Sequence, residues 1–301
     1  MARKSRNTGN RVKIVFIADY FVEQISGGGE LNNEELINIL KQRKHQVRKI
    51  NSHLLNPAFI RGHCDKGFKF VVANFINLKQ DCKDELLKTE YIIYEHDHKY
   101  LVNRDPSIYP SFLAPKEAII NHEFYKEAKA VLCQSSFHAD IIKKNLEIDN
   151  LINLSGNLWS VEHLDLLEEM SKIEKIDEHA IMNSVIPHKN THKAILYCKT
   201  KELKYKLINQ NSPINFLKEL GKYKALIFFP KTPETLSRII VEARMMGLST
   251  KTTKNIGAIH EPWFVKKGSD LINIMRKKRE DITNLVLFSL NKEPQRDKIN
   301  G

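Results

Sequence analysis

The sequence predicts an α/β protein of parallel sheets with helices packed on both faces. Three observations carry this. Short apolar runs that read as buried strands alternate with amphipathic stretches at helical spacing along nearly the whole chain. The first strand runs into consecutive glycines, Gly27, Gly28 and Gly29, ahead of a helix. The second half holds the clearest unit, the strand Ala225-Leu-Ile-Phe-Phe-Pro230 followed by a short loop and a helix with its own start and stop signals. The two halves are similar in kind, which at 301 residues favours two domains.

Taken in order, residues 1–11 form a polar, basic arm, expected to be mobile. Val12-Lys-Ile-Val-Phe-Ile-Ala-Asp19 is the first strand, and a helix follows from about 30 to 43. The glycines between them either allow a ligand close to the backbone or make a flexible turn. Their spacing is not GxGxxG, so a dinucleotide fingerprint is not met. Lys44-His45 takes the place of a turn before the strand Gln46-Val-Arg-Lys-Ile50. Further strands fall at 68–77 and 90–96, with a helix around 81–88. Ligands of such sheets bind beyond the carboxyl ends of strands, where His96, Asp97 and His98 lie. His96 reads as a substrate-facing polar group; a metal site needs further ligands that nothing in the sequence specifies.

Helices at 121–130 and 136–145 flank a strand at 130–135. A short strand at 151–154 leads into Ser155-Gly-Asn-Leu-Trp-Ser160, the candidate linker. An acidic amphipathic helix at 161–178 precedes the second set, whose strand at 180–186 runs into Pro187-His-Lys189. Lys189, at the mouth of a strand-to-helix loop, either suits a diphosphate or is an ordinary surface lysine. A helix follows at 194–200, then a strand at 205–208 and a helix at 214–220. In the unit that comes next, Thr232 is expected to cap the helix, Pro233 to take its first position and Gly247 to stop it. Leu236, Ile239, Ile240 and Ala243 form its apolar stripe.

Two carboxylates mark this unit. Glu234 falls at the helix mouth, and Glu242 on the helix body. A carboxylate accepts hydrogen bonds from two vicinal hydroxyls, which sugars and riboses offer, and a phosphate suits the helix N-terminus between them. The plainer alternative is that Glu234 favours the helix dipole and Glu242 is solvated. A strand at 250–253, the loop Asn255-Ile-Gly-Ala-Ile-His-Glu261 and a mostly helical stretch from 263 to about 290 complete the chain.

Composition narrows the class. Hydrophobic residues at 42% and charged residues at 28% are ordinary for a soluble globular chain. No run approaches the roughly 20 apolar residues of a membrane span, and no apolar signal core follows the basic start. The scattered cysteines Cys64, Cys82, Cys133 and Cys198 contain no CxxC pair, which argues for free thiols and against a zinc knuckle or disulfide frame. A cytoplasmic protein is expected, with contact at a membrane surface left open. The net charge of +12 permits a polyanionic partner, whether nucleic acid, an anionic membrane or phosphorylated substrates; a bias toward Lys, Asn and Ile codons explains it equally well.

In this order the segments resemble the retaining GT-B glycosyltransferases of family 4. The stretch Glu234-Thr-Leu-Ser-Arg-Ile-Ile-Val-Glu242-Ala-Arg-Met-Met-Gly247 is similar to that family's E-x7-E segment with its trailing E-A-x-x-x-G. Asn255–Glu261 resembles the N-x-G-x-x-x-E loop, and Ser26-Gly-Gly-Gly-Glu30 the G-G-x-E loop. Lys44-His45-Gln-Val47 stands where the family has G-H-x-V, and Lys189-Asn190 where it has a lysine–glycine turn. Ser184 stands where an arginine is common, Leu236 replaces an aromatic, and Ser237 replaces a glycine.

The resemblance implies two Rossmann-like domains facing across a cleft, the second trimmed: 1–156 on the acceptor side and 157–301 for the nucleotide-sugar, with the final helix free to return to the first domain. It implies Glu242 on the nucleotide ribose and Glu234 on the donor sugar hydroxyls. Lys189 and the backbone N–H groups of Thr235 and Leu236 would hold the diphosphate. His96 would sit near the reacting carbon, and Gly28 and Gly29 near the phosphate or acceptor. No metal or other cofactor is expected. The partners implied are a nucleotide-diphosphate-sugar and a glycan, lipid or DNA acceptor. A non-catalytic nucleic-acid-binding protein of the same fold is the remaining alternative.

Overall fold

The computed structural model describes residues 11–209 and 212–292; the expected basic arm and polar tail lie almost wholly outside them. The first lobe contains β1 (Lys13–Ala18), α1 (Gly28–Gln42), β2 (Gln46–Asn51), α2 (Pro57–Cys64), β3 (Phe68–Val72), α3 (Gln80–Leu86), β4 (Tyr91–Tyr94), α4 (His122–Lys126), β5 (Val131–Cys133), α5 (Ser136–Leu146) and β6 (Leu151–Asn153). Its strands make a parallel six-stranded sheet in the order β2-β1-β3-β4-β5-β6. The second lobe contains α6 (Val161–Ser171), β7 (Ile176–Asn183), α7 (Thr191–Thr200), β8 (Tyr205–Asn209), α8 (Pro213–Leu220), β9 (Tyr223–Ile227), α9 (Arg238–Met245), β10 (Ser249–Lys251) and α10 (Gly268–Asn291). Its parallel four-stranded sheet runs β10-β9-β7-β8.

Strands buried on both faces read as continuous apolar runs, and β1 is of this kind, buried from Ile14 to Ala18. On one face of the first sheet, Ile14 and Phe16 meet Leu36, Ile37 and Leu40 of α1, and α10 adds Ile282, Val286 and Leu290. On the other, Val15, Phe70 and Ile93 pack with Ile60 of α2, Leu86 of α3, Phe124 of α4 and Ile142 of α5. In the second lobe, Ala180, Leu226 and Phe228 pack against Leu167 of α6, Leu217 of α8, Ile240 of α9 and Met275 of α10. The opposite face is covered by Ala194 and Cys198 of α7. The long α10 thus lies on both lobes. Among the described residues no helix is long and apolar enough to cross a membrane.

Ligands of open parallel sheets collect where strand order reverses. In the first sheet that point lies between β1 and β3, and in the second between β7 and β9. The glycine loop follows β1, Lys189 follows β7 and Glu234 follows β9, so chain order alone brings these residues to the facing ends of the two sheets.

Three expectations need correction. The helix expected from Pro233 begins at Arg238. Its would-be first turn is instead extended: Glu234 makes a parallel bridge to Ile256, its N–H donating to the Asn255 carbonyl at 2.9 Å and its own carbonyl accepting from the Gly257 N–H at 2.8 Å. Backbone groups engaged with a remote loop are not free to close a helical turn, so Thr232 and Pro233 do not start one. The acidic helix expected to 178 ends at Ser171, because Ile176 already joins β7, where it pairs with Tyr223. The strand expected at 68–77 ends at Val72, while the candidate linker at 155–160 runs between the lobes with Leu158 and Trp159 buried.

Gly257 shows how tightly this loop is held. A β-carbon there would lie 2.0 Å from the Thr235 carbonyl oxygen and 2.3 Å from Ser135 Oγ. Gly257→Ala is therefore expected to lower unfolding stability by about 3 kcal/mol through overpacking; urea titration of the variant checks it, and an unchanged midpoint would refute it.

Candidate active site

A cavity of about 620 Å³ lies between the lobes. The first lobe contributes Gly28, Gly29, His96 and Gln134, the connecting segment Asn157, and the second lobe His163, Lys189, Glu234, Thr235, Ser237, Arg238 and Glu242. Of the residues to which the resemblance gives a site role, all but Leu236 line it. Leu236 is fully enclosed in the second lobe's core.

Glu234 is held by its bridge to Ile256 and meets Lys189, whose Nζ lies 2.7 Å from Oε1. Eight residues on, Glu242 is not solvated but buried on α9. Its Oε1 accepts a hydrogen bond from Trp159 Nε1 at 2.8 Å and lies 3.3 Å from His163 Nε2 and 3.7 Å from Arg238 Nε. Burial alone would raise the pKa of this carboxyl. The His163 ring, the Arg238 charge and the Trp159 N–H outweigh that and hold it below the usual range, so Glu242 is ionised at neutral pH. Oε2 makes no hydrogen bond to the described residues, which leaves that oxygen for a ligand.

Arg238 was not singled out by its sequence. Its guanidinium lies 4.4 Å from the Trp159 ring centroid, donates to the Leu158 carbonyl at 2.8 Å, and its chain packs on Gly28. A β-carbon at Gly28 would stand 3.1 Å from Arg238 Cδ. Gly28 thus allows this close approach rather than serving a special φ, since both it and Gly29 are within α1. The available signal was the spacing of Arg238, four residues from each glutamate.

His96 faces the second lobe from the end of β4. Gln134 Nε2 is within hydrogen-bond reach of Nδ1 of the ring, and Asn33 Oδ1 lies 2.6 Å from its Nε2. The Thr235 hydroxyl lies 3.1 Å from Gln134 Oε1. Burial, reinforced by the positive charge of Lys99, holds His96 well below the ordinary histidine pKa. It is neutral, with both ring nitrogens engaged. The same Thr235 hydroxyl lies 3.1 Å from the His96 carbonyl, and the Thr235 carbonyl accepts from Ser135 Oγ at 2.6 Å. Glu261 adds a further link between lobes, accepting from the Ser136 N–H at 2.6 Å at the start of α5. Gln134, Asn157 and His163 gave little warning in the sequence; only their places just after β5 and just before or within the first turn of α6 point to them.

Among the described residues no group of three or more His, Cys, Asp or Glu side chains converges as a metal site. The arrangement can bind a molecule with both anionic and polyhydroxyl parts: carboxylates for hydroxyl pairs, and a lysine, an arginine and a helix N-terminus for negative charge.

No family model and no curated protein matches the sequence. Among solved structures the chain is similar to a glycosyltransferase from Rickettsia africae, with 15% identity over 92% of this chain and 89% of the other and a TM-score of 0.56. It is similar to HepE of Anabaena in complex with UDP and glucose, with 13% identity over 93% and 92% and a TM-score of 0.51. It is also similar to the catalytic domain of starch synthase IV of Arabidopsis thaliana bound to ADP and acarbose, with 10% identity over 94% and 96% and a TM-score of 0.56. At such identities the likeness is one of architecture: this chain has the GT-B fold.

Proposed function

We propose that the protein is a retaining glycosyltransferase of the family 4 type, which moves a sugar from a nucleotide-diphosphate-sugar to a hydroxyl of a glycan or lipid-linked acceptor without a metal. The observation that carries this is the wall formed by Glu234, Lys189, the start of α9 and Glu242, facing His96 across the cleft. Glu242 Oε2 would take the ribose hydroxyls, Glu234 the donor sugar hydroxyls, and Lys189 with the α9 N-terminus the diphosphate.

As the bond from the sugar's reacting carbon to the diphosphate oxygen breaks, negative charge grows on the leaving phosphate. Lys189 and the helix start stabilise it. The acceptor oxygen bonds to the carbon from the same face, and its proton passes to the departing phosphate. Two features support this course over attack from the opposite face. Among the described residues no first-lobe carboxylate lines the cavity. The His96 ring, with both nitrogens engaged, has no free lone pair to act as base and serves as a neutral polar wall beside the cationic carbon.

The experiment is donor binding and slow hydrolysis across UDP-, GDP-, ADP- and CDP-sugars, beside Glu234→Ala. One donor should be hydrolysed by the wild type. The variant should still bind its nucleotide but hydrolyse about 100-fold more slowly. Silence across the panel would sink the proposal. The UDP and ADP held by the similar structures support starting with those nucleotides. The net charge of +12 permits a second acceptor, a hydroxymethylated base in DNA; steeply salt-dependent duplex binding would identify it.

A further inference from the structure

Ser237 has a hydroxyl that does nothing for the fold. It precedes α9 at the position where serine commonly accepts a hydrogen bond from a first-turn N–H. Here the backbone, at φ 75° and ψ 86°, turns the side chain away, and it does not cap the helix. Glycine adopts that conformation freely and serine only with strain. The residue is 5% exposed, yet Oγ has no hydrogen-bond partner among the described residues. Two other residues that stand where the family has glycine, Lys44 and Asn190, also have positive φ, at 65° and 56°. Lys44 is exposed, and Asn190 uses its amide, donating to the Phe229 carbonyl at 3.0 Å. Ser237 combines strain, burial and an unpartnered polar atom, and it lines the cavity together with Arg238 and Ile239. The first N–H groups of a helix have no intrahelical carbonyl to bind, and these belong to Arg238 and Ile239.

We propose that Ser237 is a specificity-determining residue of the donor site: its hydroxyl joins the N–H groups of Arg238 and Ile239 in a cradle for one phosphate oxygen of a nucleoside diphosphate. The proposal rests on the donor reading above. The hydroxyl donates a hydrogen bond that glycine at this position lacks, while the left-handed backbone keeps it from folding back onto the helix.

The test is calorimetric titration of wild type, Ser237→Gly, Ser237→Ala and Glu242→Ala with UDP, GDP, ADP and CDP, with the matching nucleosides and with the matching nucleotide-sugars. For the diphosphate that binds wild type, both Ser237 variants should bind roughly tenfold more weakly or worse, with nucleoside affinity unchanged. Ser237→Gly should melt no lower than wild type, since glycine suits the backbone, so its loss of affinity is not a loss of fold. Equal diphosphate affinity in Ser237→Gly and wild type, with Glu242→Ala impaired, overturns this proposal and spares the donor reading. A loss confined to the nucleotide-sugars assigns the hydroxyl to the sugar and also overturns it. No binding by wild type overturns both.

Discussion

Replacing Glu242 by alanine will remove donor binding at accessible concentrations and destabilise the protein by about 3–5 kcal/mol. The two effects have one origin. Glu242 Oε1 is the acceptor for the Trp159 N–H and the counter-charge nearest Arg238, at 3.7 Å. Arg238 is itself nearly enclosed, at 12% side-chain exposure. Deleting the carboxylate leaves a buried cation without its partner and a buried indole N–H without an acceptor, the situation in which ion-pair removal is most damaging. Glu242→Gln separates the parts. Its amide oxygen can still accept from Trp159, so most of the stability should return, while the charge that favours paired ribose hydroxyls is gone. Urea unfolding and nucleotide titration of both variants check this. Near-wild-type affinity in Glu242→Ala would show that the ribose is held elsewhere.

Mild acid will unfold the protein steeply. His98 and His138 are enclosed behind the cleft, and His96 borders it. Burial pushes His96 and His98 well below their ordinary value and His138 down to about 4, with the positive charge of Lys99 adding to the effect on all three. A histidine of depressed folded pKa stays neutral in the native state while its unfolded counterpart binds a proton near pH 6.5. The unfolded state therefore gains protons first as pH falls. Stability is complete above about pH 6.5 and declines below it until the folded groups titrate. Each histidine contributes up to about 1.4 kcal/mol per pH unit, so the three together approach about 4 kcal/mol per unit. That is a large share of a typical total of about 5–15 kcal/mol. Depressed carboxyls such as Glu90 act only below their ordinary value of 4.5, so the window above pH 5 belongs to the histidines. Urea midpoints from pH 7.5 to 5.0 should fall accordingly, with smaller parts from His45 and His188, which burial also depresses, and His138→Gln should reduce the slope by at most about a third. A flat profile would mean that these rings are protonated in the native protein.

The alternation of strands and helices was plain in the sequence because parallel strands need continuous apolar runs and their covering helices need apolar stripes. Gly28, Gly29, His96, Lys189, Glu234, Thr235 and Glu242 were found among the cavity's residues, some because ligands collect beyond strand ends and the rest because their motifs resemble a known set. Places where the sequence misled share a cause: long-range pairing overrode local preference. Thr232-Pro233 is a good helix start by every local rule, but the Asn255–Ala258 segment captures the backbone of Glu234 first. Trp159 lay in a loop-like stretch, and its role as donor to Glu242 arises only when that stretch packs into the second lobe's core. Helix α2, capped by Asn56 with Pro57 at its start, was legible but too short to stand out. Lys44, Asn190 and Ser237 have positive φ, at 65°, 56° and 75°, a backbone that their residue types do not announce. Gln134 meets Thr235 and Arg238 meets Gly28 across the cleft, and one-dimensional spacing carries no record of those contacts.

The placement of α10 has a consequence for how the chain is made. Ile282, Val286 and Leu290 complete the apolar face of a sheet whose first strand begins at Lys13. On the ribosome, at about 5–20 residues per second, the part of that face not covered by α1 stays open while the entire second lobe is synthesised, an interval of order ten seconds or more. The first lobe cannot finish folding before the second has emerged, contrary to the usual order for two-domain chains. Nascent chains stalled before residue 282 should bind chaperones and resist protease poorly, and release of the last helix should bring both lobes to their native state in a single step.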